Sequence, residues 1–247
     1  MNRSNILGGL IFILLLLFIF LEINQQEFWA LSIKSFIVPV ITFAYLSHPV
    51  KKSKYFTRFL VLYTISELTG AFEFLIASDV IYDVYYYVGN LLYFAAYSLL
   101  LYDIYRGINL KEVFRTYKAH LIVLSLLNVY IIYTLINIAF PMSSLVDAPK
   151  SNLYKLVLEF GLNLVVLLLL TFSLIGYLYK DNKKALLLFF GSLSIVFSEV
   201  IIIAYYYISE KNVLNIASTI LFTMAFLFYY KYSLTPDEDR SIFAVKS

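Results

Sequence analysis

The chain has no cysteine, one tryptophan, two histidines, five prolines and eight glycines in its 247 residues. Without cysteine there are no disulfides, thiolate metal sites, iron–sulfur clusters or thiol nucleophiles. The two histidines, His48 and His120, fall near the ends of apolar runs, which argues against histidine-rich metal hydrolases and paired haem ligands. No metal and no cofactor is expected. Charge is scarce as well: 14% of residues are charged, where a soluble domain carries about 25%. In their place stand 62% hydrophobic residues and a mean hydropathy of +0.82. That composition excludes a soluble domain and points to a membrane protein.

Apolar runs cover about 6–23, 29–48, 55–77, 80–102, 119–140, 153–179, 184–208 and 213–230. Each is close to the roughly 20 residues a helix needs to cross the hydrocarbon. Long continuous runs reject a β-barrel, whose strands are short and alternating. The expected fold is therefore all-α and polytopic, with eight transmembrane helices in a single domain over 1–235. Residues 236–247 form a polar cytoplasmic tail. The first run resembles a signal-peptide core, but Glu22-Ile23-Asn24-Gln25-Gln26 offers no small-residue cleavage site, so it reads as an uncleaved helix.

Orientation follows from the basic residues. With the N-terminus inside, fifteen of the nineteen lysines and arginines fall in inner segments and three in outer ones; Lys34 stays within a helix. The positive-inside rule then places both termini in the cytoplasm. The basic residues follow the alternation of the runs, so nucleic-acid binding is not indicated. Scarce proline and glycine with abundant Ile, Lys, Asn and Tyr suggest an AT-rich bacterial genome, hence a bacterial inner membrane.

Five ionisable groups interrupt the apolar runs: Lys34, Glu67, Glu73, Glu159 and Glu199. Each costs roughly 2.5–3.5 kcal/mol at the centre of a spanning helix and so calls for a partner or a purpose. At about 1.5 Å per residue, Glu67 falls near the middle of the third helix and Glu199 slightly outward of the middle of the seventh. Lys34, Glu73 and Glu159 fall in the outer thirds of helices two, three and six, with Asp83 at the mouth of helix four. Lys34 is expected to reach outward to water or to pair with Glu73 or Glu159 as a structural ion pair. Helical spacing groups Tyr86, Asn90, Tyr93 and Tyr97 on one face, and Gly191, Ser194 and Ser198 on another. The small-residue stripe reads most simply as close helix packing. Glu67 and Glu73 lie about 120° apart around their helix, and the deeper Glu67 is the better partner for Glu199.

The order of these residues resembles the YhhN family, the lysoplasmalogenase-like eight-helix membrane proteins. Lys34-Ser35 stands where the family has Lys-Pro early in helix two, and Ser66-Glu67 where it has Gly-Asp in helix three. Gly89-Asn90 stands at the helix-four glycine and histidine. Gly191 through Ser198-Glu199 keeps the spacing of the helix-seven Gly-x6-Ser-Asp. The chain would be a divergent member, with glutamates for both aspartates. The resemblance implies hydrolysis of the vinyl ether bond of a lysolipid, using Glu67 and Glu199 as the catalytic carboxyls. Lys34 would meet the substrate phosphate, with Asn90, Tyr93, Tyr97 and Ser198 as further substrate-binding residues. The partner is then a membrane lipid or lysolipid. Two other functions fit a bundle with buried acids: a non-catalytic lipid-binding or sensory protein of the same fold, and a proton-coupled transporter.

Overall fold

A computed structural model describes residues 3–72, 76, 78–139 and 150–236, and among them every regular element is a helix. Ten are described: α1 (Arg3–Ile23), α2 (Glu27–Ser35), α3 (Ile37–Leu46), α4 (Lys54–Gly70), α5 (Asp79–Arg106), α6 (Leu110–Thr116), α7 (Lys118–Ala139), α8 (Lys150–Lys180), α9 (Lys183–Tyr207) and α10 (Asn212–Leu234). Six described spans are long and apolar enough to cross a bilayer: α1, α2 with α3, α5, α8, α9 and α10. The 17 residues of α4 and the apolar stretch Lys118–Thr134 of α7 are shorter than that.

Two spans depart from the continuous helices expected over 29–48 and 55–77. The first is broken at Phe36, between α2 and α3. Pro39 has no N–H to give the Ser35 carbonyl four residues back, and its ring crowds that carbonyl, so the ladder fails there. The Ser35 hydroxyl bonds back to Leu31 O at 3.0 Å. The second is α4, which ends at Gly70 although the apolar sequence runs on. Thr69 Oγ1 turns back to Ser66 O (2.7 Å), Phe72 N closes a tighter turn on Thr69 O (2.9 Å), and Gly70 favours helix poorly. Glu73 lies outside the described residues.

Turns elsewhere are short and chemically specified. Gln25 takes a left-handed φ of 57° and Asp181 one of 46° to end α1 and α8. Asn182 then caps α9 by accepting from Ala185 N at 2.8 Å. The Ser53 hydroxyl donates to the Asp103 carboxylate at 3.0 Å, Arg106 lies 5.1 Å from the Tyr55 ring, and Lys184 lies 5.4 Å from that of Tyr232. These contacts gather one basic end of the bundle.

Lipid offers no hydrophobic force to drive helices together, so close packing and interhelical hydrogen bonds must do so. Ser198 and Ser218 exchange hydroxyl-to-carbonyl bonds across α9 and α10 at 2.9 and 3.1 Å. Thr42 and Thr64 share a bond of 2.8 Å between α3 and α4, and Asn128 donates to Thr171 at 2.6 Å between α7 and α8. An aromatic core lies between α4, α5 and α10, where Phe59 stacks on Phe226 (6.0 Å) and Tyr63 meets Tyr97 (5.4 Å).

Glu22 is a further clasp. It is buried at the end of α1, accepting from Asn215 Nδ2 at 2.7 Å while its carbonyl accepts from Asn212 Nδ2 at 2.8 Å. Asn215→Leu should lower stability by about 1–3 kcal/mol, because a buried acceptor loses its donor. Adding Glu22→Leu to that variant should recover part of the loss, as read by thermal unfolding in detergent.

Candidate functional site

A cleft of about 210 Å³ opens where the break after α2 and the early end of α4 meet the first half of α5. Lys34 and Ser35 line it from α2, Ser66, Glu67, Thr69 and Gly70 from α4, and Tyr82, Tyr85, Tyr86, Gly89, Asn90 and Tyr93 from α5. Glu67 lies about 20 Å along α4 from Lys54, within the last turn of the helix.

Glu67 is buried, at 7% exposure, and accepts from the Tyr93 hydroxyl at 2.9 Å on Oε1. Tyr93 is held in turn by its ring against Tyr63, with centroids 4.7 Å apart. Ser66 donates to Gly89 O at 2.9 Å and so fixes α4 on α5 one residue from the acid. Asn90 donates to Tyr86 O at 2.9 Å.

The Lys34 ammonium lies 5.9 Å from the Phe222 ring centre and has no carboxylate oxygen within 4.0 Å among the described residues. It lines the same cleft as Glu67. Glu199, on α9, is half-buried and has no hydrogen-bond partner among the described residues. Lys34, Glu67 and Tyr93 therefore share one cleft contributed by α2, α4 and α5, and Glu199 on α9 lies outside its lining.

The remaining site residues expected from the sequence are placed as follows. Lys34, Glu67, Asn90 and Tyr93 line the cleft, whereas Glu199, Tyr97 and Ser198 do not. Tyr97 is in the aromatic core, sharing a hydrogen bond of 3.1 Å with Tyr63, and Ser198 is spent on Ser218. Glu159 does not pair with Lys34. It accepts from the Tyr86 hydroxyl at 2.7 Å, beside an ion pair of 3.0 Å between Lys155 and Asp83. Tyr86 is the residue the sequence undervalued, since it lines the cleft and also ties α5 to α8. Its one-turn spacing from Asn90 was visible, but its partner on α8 was not.

Among the described residues every regular element is a helix, and six spans long and apolar enough to cross a bilayer fit a multi-pass membrane protein. Comparison with family models, curated proteins and solved structures finds no match. The resemblance to the YhhN pattern rests on the sequence positions Lys34-Ser35, Ser66-Glu67, Gly89-Asn90 and Gly191 through Ser198-Glu199.

Proposed function

We propose that the chain is a divergent YhhN-type membrane hydrolase that cleaves the vinyl ether bond of a lysolipid. In this reading it has eight spans, both termini and the basic end face the cytoplasm, and the host membrane is a bacterial inner membrane. The observation that supports it is the cleft that gathers the Lys34 ammonium, the buried Glu67 carboxyl and its Tyr93 donor. Vinyl ether hydrolysis needs one carboxyl that arrives protonated and gives its proton to the β-carbon. Water then adds to the resulting oxocarbenium carbon and surrenders a proton to the second carboxylate. The hemiacetal so formed collapses to a fatty aldehyde and the glycerophospho alcohol. A paired acid and base at opposite sides of a cation-like centre is the division of labour glycosidases use. Lys34 would hold the phosphate, and Tyr93 would orient Glu67. The test is aldehyde release from lysoplasmalogen by purified protein in detergent. Release supports the reading; none, while a genuine family member works in parallel, ends it.

One observation favours a second reading, a lipid-binding or sensory protein without catalysis: Glu199 does not line the cleft that holds Glu67. Under it, wild type releases no aldehyde and the double variant Glu67→Gln/Glu199→Gln keeps its lipid affinity. Buried carboxyls such as Glu67 also serve proton-coupled transporters as relays. Gradient-driven solute uptake into proteoliposomes would move the assignment there.

A further inference from the structure

The Thr219 hydroxyl on α10 is enclosed, at 0% exposure, and has no hydrogen-bond partner among the described residues. A hydroxyl inside a helix commonly retreats to the carbonyl four residues back. Thr223 does so, donating to Thr219 O at 2.8 Å, and Thr171 donates likewise to Leu167 O at 3.0 Å. Thr219 does not, so its hydroxyl serves something other than its own helix. A buried polar atom left unpaired is costly, and internal water is the usual partner of such atoms in native proteins.

The packing of α9 on α10 shows what stands beside it. The two helices run antiparallel: Phe190 meets Phe228 with ring centres 5.8 Å apart, and Ser198 meets Ser218 further along. In an antiparallel pair, the residue after each contact turns by about 100° toward the same side of the seam. Glu199 and Thr219 therefore leave the Ser198–Ser218 contact on one side. The two serines are spent on each other, whereas Glu199 has no hydrogen-bond partner among the described residues. An acceptor and a hydroxyl, both unpaired, thus flank one clasp.

This side of α10 also meets the cleft. Phe222, one turn beyond Thr219 and 6% exposed, packs on Tyr63 of α4 with ring centres 6.0 Å apart. The Lys34 ammonium lies 5.9 Å from the centre of that Phe222 ring, and Lys34 lines the cleft. Lys34 is the side chain that has the cleft on one flank and the Thr219 face of α10 on the other.

We infer that Thr219 holds an internal water molecule against the Glu199 carboxylate, and that this is the water consumed in the proposed vinyl ether hydrolysis. The inference rests on that reading and assigns its nucleophile. The water oxygen bonds to the oxocarbenium carbon as one of its protons passes to Glu199. The other hydrogen stays on that oxygen as the hemiacetal hydroxyl, and nothing is oxidised or reduced. Thr219 touches the water and not the lipid, which makes it a positioning residue.

The first test needs no turnover. Brief X-ray radiolysis of the full-length protein in nanodiscs oxidises side chains beside bound water, and peptide mapping locates the label. Phe222 should be labelled despite its burial, whereas Phe59, 0% exposed and stacked on Phe226, should not. Thr219→Val should lower the Phe222 label severalfold, and Thr219→Ser should keep it. An unlabelled Phe222, or equal label in wild type and Thr219→Val, overturns the inference. So does a Thr219→Val protein that melts above wild type, since removal of a hydroxyl that meets no water stabilises. The second test is kinetic. Thr219→Val should lower kcat for aldehyde release by about 10-fold to 10²-fold with KM unchanged, where misplacement near 1 Å costs about 10². Thr219→Ser should restore it. An unchanged kcat in Thr219→Val overturns the use of this water. A labelled Phe222 in a wild type that releases no aldehyde rejects the hydrolase and keeps the water site.

Discussion

Glu67→Gln should lower aldehyde release from lysoplasmalogen by about 10²–10⁴-fold, the usual worth of a positioned proton donor or acceptor. The substitution keeps the shape and the capacity to accept from Tyr93, whose hydroxyl reaches Oε1 at 2.9 Å. It removes the exchangeable proton and the charge of the carboxylate. Lysolipid affinity should change little, which separates lost chemistry from lost folding. Tyr93→Phe should act more mildly, because the acid remains but loses the bond that orients it; about 10-fold to 10²-fold is expected where a misplacement near 1 Å costs about 10². A Glu67→Gln protein with undiminished turnover would remove this acid from the reaction altogether.

The largest effect on folding is expected from Gly191→Ala. A Cβ at position 191 would lie 2.5 and 2.6 Å from Cε1 and Cδ1 of Tyr229. The ring cannot swing aside easily: it is fully buried, it packs edge-on against Phe59 (5.7 Å) and Phe226 (5.9 Å), and its hydroxyl reaches Ser192 Oγ at 3.3 Å. Overpacking of this kind costs about 1–3 kcal/mol, and the surrounding rigidity puts this site at the upper end. Gly8→Ala is the control, since nothing lies within 4 Å of its added methyl. Thermal unfolding in detergent should show Gly191→Ala melting well below both wild type and Gly8→Ala. A normal melting temperature would mean that α9 and α10 sit further apart than this packing requires.

The positions of the long helices were legible because hydropathy alone marks them; α1, α8, α9 and α10 begin and end close to the apolar runs. Hydropathy could not locate the break at Phe36 or the stop at Gly70, since the residues on both sides are apolar. Pro39 and Gly70 carried those signals, but neither residue by itself compels a helix to end. The cleft was partly legible for a related reason. Helical spacing correctly grouped Asn90 with Tyr93, yet a face shows only direction, not what stands opposite. One turn further along the same face, Tyr97 meets Tyr63 and the aromatic core instead. The clasp made by Glu22 was not legible, because its donor, Asn215, stands 193 residues away in the chain.

The early stop of α4 also shapes what the cleft can offer. The last carbonyls of a helix have no following turn to bond them. Glu67 O finds Ala71 N at 3.1 Å and Thr69 O finds Phe72 N at 2.9 Å, and Gly70 puts no side chain over the backbone at the cleft wall. A head group entering there meets main chain as well as the Glu67 carboxyl.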